Sequence, residues 1–189
     1  MEQRLSIYLC KLLRHQPELA QLQMDKHGWV SVHNLIAGVN AHSQFRLDRQ
    51  RLTALVQADK KGRYRFDETG ARIKCCQGHS IPWVEPELTD GPPPDVLYHG
   101  TTQQAWESIR RTGAILKMKR HGVHMQSDAQ KAWASATRHR RQTPVLLAID
   151  ARAMAQDGMV FGVSDNQVWC TERVPIAYVC GVYDDPAGL

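Results

Sequence analysis

Hydrophobic positions in the first part of the chain recur at helical spacing and later alternate with polar ones. Leucines at positions 5, 9, 12 and 13 form one apolar stripe, and the residue before Pro17 is pushed out of helical geometry. Apolar residues then flank Asp67-Glu68-Thr69-Gly70, a sequence typical of a turn. The pattern predicts a helix over 3–15, a short strand at Trp29–Val32, helices around His33–Val39 and from Asp48 to about Ala58, and a hairpin of Tyr64–Phe66 and Arg72–Cys75.

The second part of the chain reads as strands that alternate with helices. Val145–Ile149 is an uninterrupted apolar run of the kind that forms a fully buried strand. We expect further strands at Val96–Tyr98, Val123–Met125, Val168–Cys170 and Ala177–Val182, and helices at Gln103–Arg111 and Asp128–Arg138. This half is therefore predicted to be α+β or mixed, built around a sheet.

A proline-rich segment separates the two parts. Residues 85–95 contain four prolines, which stiffen a chain and disfavour regular strand pairing. Helices followed by a short β-ribbon resemble a winged-helix lobe. We therefore expect an α+β protein with a winged-helix-like lobe over 1–84, a linker over 85–95 and a second lobe over 96–189.

The composition is that of an ordinary globular protein. Of 189 residues, 42% are hydrophobic and 23% are charged, and no apolar run approaches the roughly 18–20 residues of a membrane-spanning helix. An excess of 24 Lys and Arg over 19 Asp and Glu gives a net charge of +5, which favours a polyanionic partner. The five cysteines include no C-x-x-C pair, so we expect free thiols in the cytoplasm, no structural zinc and no membrane association.

Two segments of the first part could carry a functional site, and the first of them could bind a phosphate. Arg14-His15, at the end of the first helix, offers a planar fork of donors beside an imidazole, although basic residues there could simply complement the helix dipole. Gln77-Gly78-His79-Ser80, after the hairpin, combines close backbone approach with hydrogen-bonding side chains, although it could also be a plain turn.

Two segments of the second part could bind a ligand. His99-Gly100-Thr101 is expected to leave a strand and enter a helix, where a backbone can approach an amide or a phosphate closely. Basic residues and histidines cluster at 119–127 and at 138–141, which could instead be solvated loops. Neither stretch contains the cysteines or carboxylates that would complete a metal site, so no metal is expected.

Taken in order, these segments resemble the RNA 2′-phosphotransferase family, also called tRNA 2′-phosphotransferase. The resemblance runs from about residue 5 to residue 180, and its pieces are individually weak but stand in the family's order. It rests on Leu12–Pro17, His27–Val30, Arg65-Phe66, Gln77–Ile81, Leu97–Thr101, Lys119–Met125, Arg138-His139, Pro144–Leu147 and Asn166–Trp169.

The resemblance implies an RNA-binding winged-helix lobe and an ADP-ribosyltransferase-like lobe that binds NAD. Nothing in the sequence indicates an obligate interface, so we expect a monomer. An internal 2′-phosphate of RNA would attack the nicotinamide-bearing ribose carbon of NAD, and transesterification would then yield 2′-hydroxyl RNA and ADP-ribose 1″,2″-cyclic phosphate. It assigns grip of the 2′-phosphate to Arg14, His15 and Arg65, and the transesterification step to Arg138. It assigns NAD binding to His99, Gly100, Thr101, His124 and Ser127.

The sequence departs from the family's pattern at two places. One histidine of the family's usual pair is missing at His121-Gly122. The loop before Pro144 is about two residues longer than is typical, so counting forward from Asp128 selects Arg138, whereas counting back from Pro144 selects Arg140.

Two rival functions are also open at this point. The same NAD site could serve an ADP-ribosyltransferase acting on another acceptor, such as a nucleic-acid end, but that enzyme would not need Arg14, His15 and Arg65. A non-catalytic winged-helix protein would leave the His99 segment without a role.

Overall fold

We describe the fold from a computed structural model, in which residues 2–138, 142–187 and 189 are described. The chain divides into two compact units, Met1–Glu87 and Leu88–Leu189. Within the described residues there are six α-helices and several small antiparallel sheets, a mixed α+β architecture. No helix among those residues is long and apolar enough to cross a membrane.

The N-terminal unit packs three helices against a three-stranded antiparallel sheet of order β1-β3-β2. The elements are α1 (Glu2–Arg14), β1 (Val30–Ser31), α2 (Val32–His42), α3 (Arg49–Gln57), β2 (Tyr64–Phe66) and β3 (Arg72–Cys75). The stripe Leu5, Leu9, Leu12 and Leu13 of α1 is fully buried in the core of this unit. Asp48 caps α3 as its sequence position predicts, because its carboxylate accepts a hydrogen bond from the amide of Arg51 at 2.7 Å.

The C-terminal unit is built around one buried strand. Its elements are β4 (Thr89–Asp90), β5 (Val96–Thr102), α4 (Gln103–Thr112), β6 (Ala114–Leu116), β7 (Val123–Met125), α5 (Ala129–Ala136), β8 (Pro144–Asp150), α6 (Ala151–Gln156), β9 (Gly162–Val163), β10 (Trp169–Thr171), β11 (Arg173–Pro175) and β12 (Val179–Tyr183). Strand β8 lies between β5 and β12, and its apolar run Val145–Ile149 is buried, as the sequence predicts. A second sheet has the order β4-β9-β10-β7, and β6 pairs with β11.

Three expectations about this unit are wrong. We expected no regular pairing within 85–95, but Thr89 and Asp90 pair with Val163 and Gly162. These two residues lie between prolines but are not prolines themselves, so each has the backbone N–H group that strand pairing uses. The predicted strand at Ala177–Val182 begins only at Val179, because a 3-10 turn over Ile176–Tyr178 follows Pro175.

The third correction concerns His99-Gly100-Thr101. We expected a strand end followed by a helix start at Gly-Thr, but β5 continues through Thr102 and helix α4 begins at Gln103. Strand β5 pairs with β8 over its whole length, from Val96 to Thr102. The three residues therefore lie within a strand and not at a helix N-terminus.

Candidate active site

In the N-terminal unit, the loop 77–80 holds Arg14 and His15 at the end of α1. The amide of Ser80 donates to the carbonyl oxygen of Arg14 at 2.9 Å, and Oγ of Ser80 lies 2.8 Å from Nδ1 of His15. Gly78 has φ +88, and a Cβ at this position would lie 3.5 Å from Cζ of Arg14. The loop therefore packs directly on the arginine, so it is more than the plain turn that its sequence also allowed.

The guanidinium of Arg14 is held by its surroundings but is not satisfied by them. Among the described residues, its buried Nε and Nη2 atoms have no hydrogen-bond partner. The buried Oε1 atoms of Gln16 and Gln77 also lack one within that part of the chain, and rotation of either amide would present NH₂ donors instead. A buried cation without partners is costly, and an anion would satisfy its donors.

Arg65 is an exposed residue of β2 and lies opposite Lys74 of β3. The neighbouring pair, Tyr64 and Cys75, faces α1, because the hydroxyl of Tyr64 donates to the carbonyl oxygen of Ser6 at 2.6 Å. The assignment of Arg65 that the resemblance implies stays a prediction.

Arg63, which the sequence analysis did not name, also approaches α1. Its Nη2 lies 3.4 Å from Oγ of Ser6 and 2.7 Å from Oδ1 of Asp59. The charges of both Arg63 and Arg14 act on Cys10, which lies between Ser6 and Arg14 along the helix.

In the C-terminal unit, the two ring nitrogens of His99 differ in their hydrogen bonding. Its Nδ1 lies 2.9 Å from the carbonyl oxygen of His124, and a carbonyl can only accept, so Nδ1 carries the proton. Burial lowers the pKa of His99, the bond to His124 opposes this, and the charge of Arg120 adds to the lowering. At neutral pH the ring is therefore neutral, and its Nε2 is a hydrogen-bond acceptor.

The other residues assigned to NAD lie on neighbouring strands. Thr101 is half-buried in β5, His124 is half-buried in β7, and Ser127 is exposed just beyond Gln126, which pairs with Tyr98. The structure joins His99 and His124 directly through their hydrogen bond.

Packing requires a glycine at position 100, which the sequence analysis did not foresee. A Cβ at this position would lie 2.0 Å from the carbonyl oxygen of Ala132 in α5. Glycine is therefore what allows α5 to lie against β5. A role of Gly100 in NAD binding stays a prediction.

Arg138 lies just past the end of α5 and is exposed, following the C-cap residue Thr137. Arg140, the alternative choice, lies outside the described residues. Arg120 was noted only as part of a basic stretch, but its charge acts on both His99 and Cys170. Within the described ranges, no group of three or more histidine, cysteine or acidic residues could hold a metal ion.

Each unit therefore offers polar groups suited to a ligand: Arg14, with donors that lack a partner among the described residues, in the N-terminal unit, and the neutral ring of His99 in the C-terminal unit. The family described as RNA 2′-phosphotransferase, Tpt1 / KptA family, matches residues 1–173. The chain is 43% identical over 176 residues to the probable RNA 2′-phosphotransferase of Nostoc punctiforme, covering 93% of this chain and 94% of the relative. It is 39% identical over 184 residues to that of Burkholderia lata, covering 97% of this chain and 92% of the relative. The counterpart in Streptomyces coelicolor is 43% identical over 176 residues. The chain therefore belongs to the RNA 2′-phosphotransferase family, a family of transferases.

Proposed function

We propose that this protein removes an internal 2′-phosphate from RNA and consumes NAD as it does so. The observation that supports the proposal most directly is the guanidinium of Arg14, which is partly buried and has two donors without a partner among the described residues. Loop 77–80 fixes this side chain beside His15. An arginine held in this way is suited to a phosphate monoester.

The phosphate itself needs positioning more than activation. A phosphate monoester carries about −1.5 to −2 charges at neutral pH, so it is already a nucleophile and needs no general base. Arg14 supplies two parallel N–H donors and a permanent charge, and His15 supplies a further donor when it is protonated. We assign a further contact to the 2′-phosphate to Arg65, as the resemblance implies, whereas the charge of Arg63 is already paired with Asp59 at 2.7 Å.

The NAD site centres on His99. Its neutral Nε2 can accept a hydrogen bond from a ribose hydroxyl, while the bond from Nδ1 to the carbonyl oxygen of His124 fixes the ring. NAD supplies a ribose carbon that becomes electrophilic as nicotinamide leaves. Thr101, His124 and Ser127 are the further residues that we assign to this site.

Two bond exchanges complete the reaction. An oxygen of the 2′-phosphate forms a bond to the ribose carbon, and the bond from that carbon to nicotinamide breaks. The neighbouring ribose hydroxyl then bonds to phosphorus, the bond to the RNA 2′-oxygen breaks, and the hydroxyl proton passes to the RNA. We assign charge stabilisation in the second step to Arg138, and the products are 2′-hydroxyl RNA and ADP-ribose 1″,2″-cyclic phosphate.

The assignment of the two units follows from the same proposal. Three helices and a small antiparallel sheet in the N-terminal unit suit a winged-helix-like RNA lobe, and the sheets of the C-terminal unit suit an ADP-ribosyltransferase-like NAD lobe. We expect the protein to act as a monomer.

The test is an incubation with a short RNA that bears one internal 2′-phosphate, with and without NAD, followed by mass spectrometry of the RNA and of the small molecules. We expect loss of the phosphate only with NAD, together with the cyclic product. Arg14→Gln should lower the rate at least about 100-fold, the effect of losing a charge-assisted bidentate contact, whereas Arg4→Gln, on an exposed position of the same helix, should not.

Two other outcomes carry a defined meaning. An ADP-ribosylated RNA that persists would place the fault in the second step and in the assignment of Arg138. Transfer of ADP-ribose to another acceptor, with the 2′-phosphate untouched, would overturn the proposal in favour of an ADP-ribosyltransferase.

A further inference from the structure

A stripe of polar side chains along α1 carries a thiol into the neighbourhood of Arg14. Ser6, Cys10 and Arg14 are spaced four residues apart and therefore share one face of the helix. Sγ of Cys10 lies 3.0 Å from the hydroxyl of Tyr64, which pairs directly with Cys75 in the hairpin. Cys10 is half-buried and Cys75 is buried.

The two cysteines face each other across the packing of α1 on the hairpin. Cys75 lies opposite Tyr64, whose hydroxyl is 3.0 Å from Sγ of Cys10, and Cys10 packs against the core cluster that contains Cys75. Cys76 follows β3 immediately, and neighbouring residues of an extended chain point in opposite directions. Cys75 is therefore the partner that faces Cys10.

The surroundings of the two thiols make one more acidic than the other. The interaction with Cys75 and the charges of Arg14 and Arg63, opposed by burial, lower the pKa of Cys10 below its ordinary value. Burial, together with the interaction with Cys10, raises the pKa of Cys75 well above its usual range. Of the two, Cys10 therefore forms the thiolate, the reactive form, more readily.

We propose that Cys10 and Cys75 are a peroxide-reactive thiol pair that closes to a reversible disulfide, and that a phosphate bound at Arg14 slows this reaction. The second clause rests on the proposed function, since it needs the phosphate to occupy Arg14. The first clause rests only on the arrangement of the two thiols against each other.

The chemistry balances with a small peroxide as the oxidant. The Cys10 thiolate attacks one peroxide oxygen, the O–O bond breaks, and the departing oxygen takes up a proton, leaving Cys10 as a sulfenic acid. The sulfur of Cys75 then attacks the sulfur of Cys10, the S–O bond breaks, and the hydroxide leaves with the thiol proton as water. Two electrons pass from the two thiols to the peroxide.

The first step prepares the second. The interaction with Cys10 and the negative charge of Cys10 both raise the pKa of Cys75, whereas the charge of Arg14 lowers it. When Cys10 becomes a neutral sulfenic acid, the effect of its charge disappears and that of Arg14 remains. Cys75 then deprotonates more readily and becomes a better nucleophile.

A phosphate at Arg14 acts on Cys10 in the opposite direction. The charge of Arg14 favours the Cys10 thiolate, and a bound dianion would offset that charge. The pKa of Cys10 should rise by about one unit, so a smaller fraction is thiolate near neutral pH. By linkage, the thiolate weakens phosphate binding to the same extent.

The thiol pair is tested on the full reduced chain, treated with hydrogen peroxide, blocked with an alkylating reagent, digested and mapped by mass spectrometry. We expect a Cys10–Cys75 linked peptide that dithiothreitol reverses. In Cys75→Ser, Cys10 should be trapped as a sulfenic acid that dimedone labels, and Cys180→Ser should behave as wild type.

If solvent exposure alone determined reactivity, Cys180 would be oxidised before Cys10, because Cys180 is exposed whereas Cys10 is half-buried. Oxidation of Cys180 ahead of Cys10, or a Cys10 sulfenic acid in wild type that never gives the linked peptide, would overturn the thiol pair.

The coupling to phosphate is tested on the alkylation rate of Cys10 as a function of pH. The midpoint should move up by about one unit with an RNA that bears an internal 2′-phosphate, and should not move with the same RNA lacking it. An unchanged midpoint would overturn the coupling and leave the thiol pair standing. Loss of the 2′-phosphate in the separate NAD incubation would show that the proposed function still holds.

Discussion

Arg14 differs from other arginines of the N-terminal unit in what surrounds its charge. Arg51, Arg63 and Arg72 each face a carboxylate, from Glu2, Asp59 and Asp67. Arg14 instead has two buried donors without a partner in the described part of the chain. An unsatisfied buried group costs about 1–3 kcal/mol, and more when it is charged, so a fold that keeps one commonly uses it for a ligand.

The first prediction separates the two arginines of the hairpin. Arg65→Gln should lower the rate of 2′-phosphate removal about 10- to 100-fold, because we assign Arg65 a contact to the phosphate, while Arg63→Gln should change it less than threefold, because Asp59 already neutralises Arg63. The measurement is single-turnover removal of the phosphate from the RNA with saturating NAD.

Asp59→Asn is the control for this comparison, because it breaks the ion pair of Arg63 and keeps its charge. We expect this variant to retain most of the rate. A large loss in Arg63→Gln with no loss in Arg65→Gln would move the phosphate contact from Arg65 to Arg63.

The second prediction concerns the protonation of His99. Burial lowers its pKa below the ordinary value of 6.5, so the ring is neutral at neutral pH and gains a proton only in more acidic solution. Protonation converts Nε2 from an acceptor to a donor, so affinity for NAD should fall as the pH drops through a midpoint below 6.5.

Calorimetric titration of NAD across this pH range measures the effect. His99→Ala should bind NAD more weakly than wild type at neutral pH and should lose the dependence below 6.5. A wild-type affinity that stays constant across the range would remove Nε2 of His99 from the NAD site.

At the scale of elements, α5 packs against β5 at Gly100, a position where no side chain fits. Gly100→Ala would place a Cβ 2.0 Å from the carbonyl oxygen of Ala132, so the helix must move away from the strand. We expect destabilisation by about 1–3 kcal/mol, measured by urea unfolding of the full chain.

Gly91→Ala is the matched control, because a Cβ at Gly91 meets nothing within 4 Å. Its stability should stay within about 0.5 kcal/mol of wild type. Equal stabilities of the two variants would mean that α5 does not depend on this contact.

Elements with a repeating or continuous apolar pattern were predictable, whereas several of the shortest elements were not. Helix α1, the hairpin and the buried run of β8 each have a repeating or continuous apolar pattern. Strands β4 and β9 have two residues each, and they exist because they pair with each other across a long stretch of sequence. Helix α6, with six residues directly after β8, was missed because a run so short has no distinct helical pattern.

The features of the candidate site also fall into those that a local sequence motif indicates and those that depend on contacts between distant segments. Arg14, His15 and His99 stand in local motifs and could be named from the sequence. The carbonyl of Ala132 facing Gly100, and the contact of Arg63 with Ser6, join residues far apart in sequence. No local pattern contains these contacts.

At the scale of the whole molecule, the net charge of +5 makes association with RNA depend on salt. Lysines and arginines that contact phosphates release counterions, so the logarithm of the affinity falls linearly with the logarithm of salt concentration, by about 0.7 per phosphate on a single strand. A substitution that removes a charge contacting one particular phosphate should change this slope only for an RNA that carries that phosphate. A substitution that removes a contact to the RNA backbone should change it for every RNA alike.

We therefore expect Arg14→Gln to make the slope less steep by at least about 0.7 for an RNA with an internal 2′-phosphate, and to leave it unchanged for the same RNA without that group. Arg152→Gln, whose arginine lies 3.7 Å from Asp95, should leave both slopes as they are. Fluorescence anisotropy over a range of potassium chloride concentrations measures all of them. If Arg14→Gln lowered the affinity for both RNAs equally, Arg14 would be one more contact to the RNA backbone, and the 2′-phosphate would have to be held elsewhere.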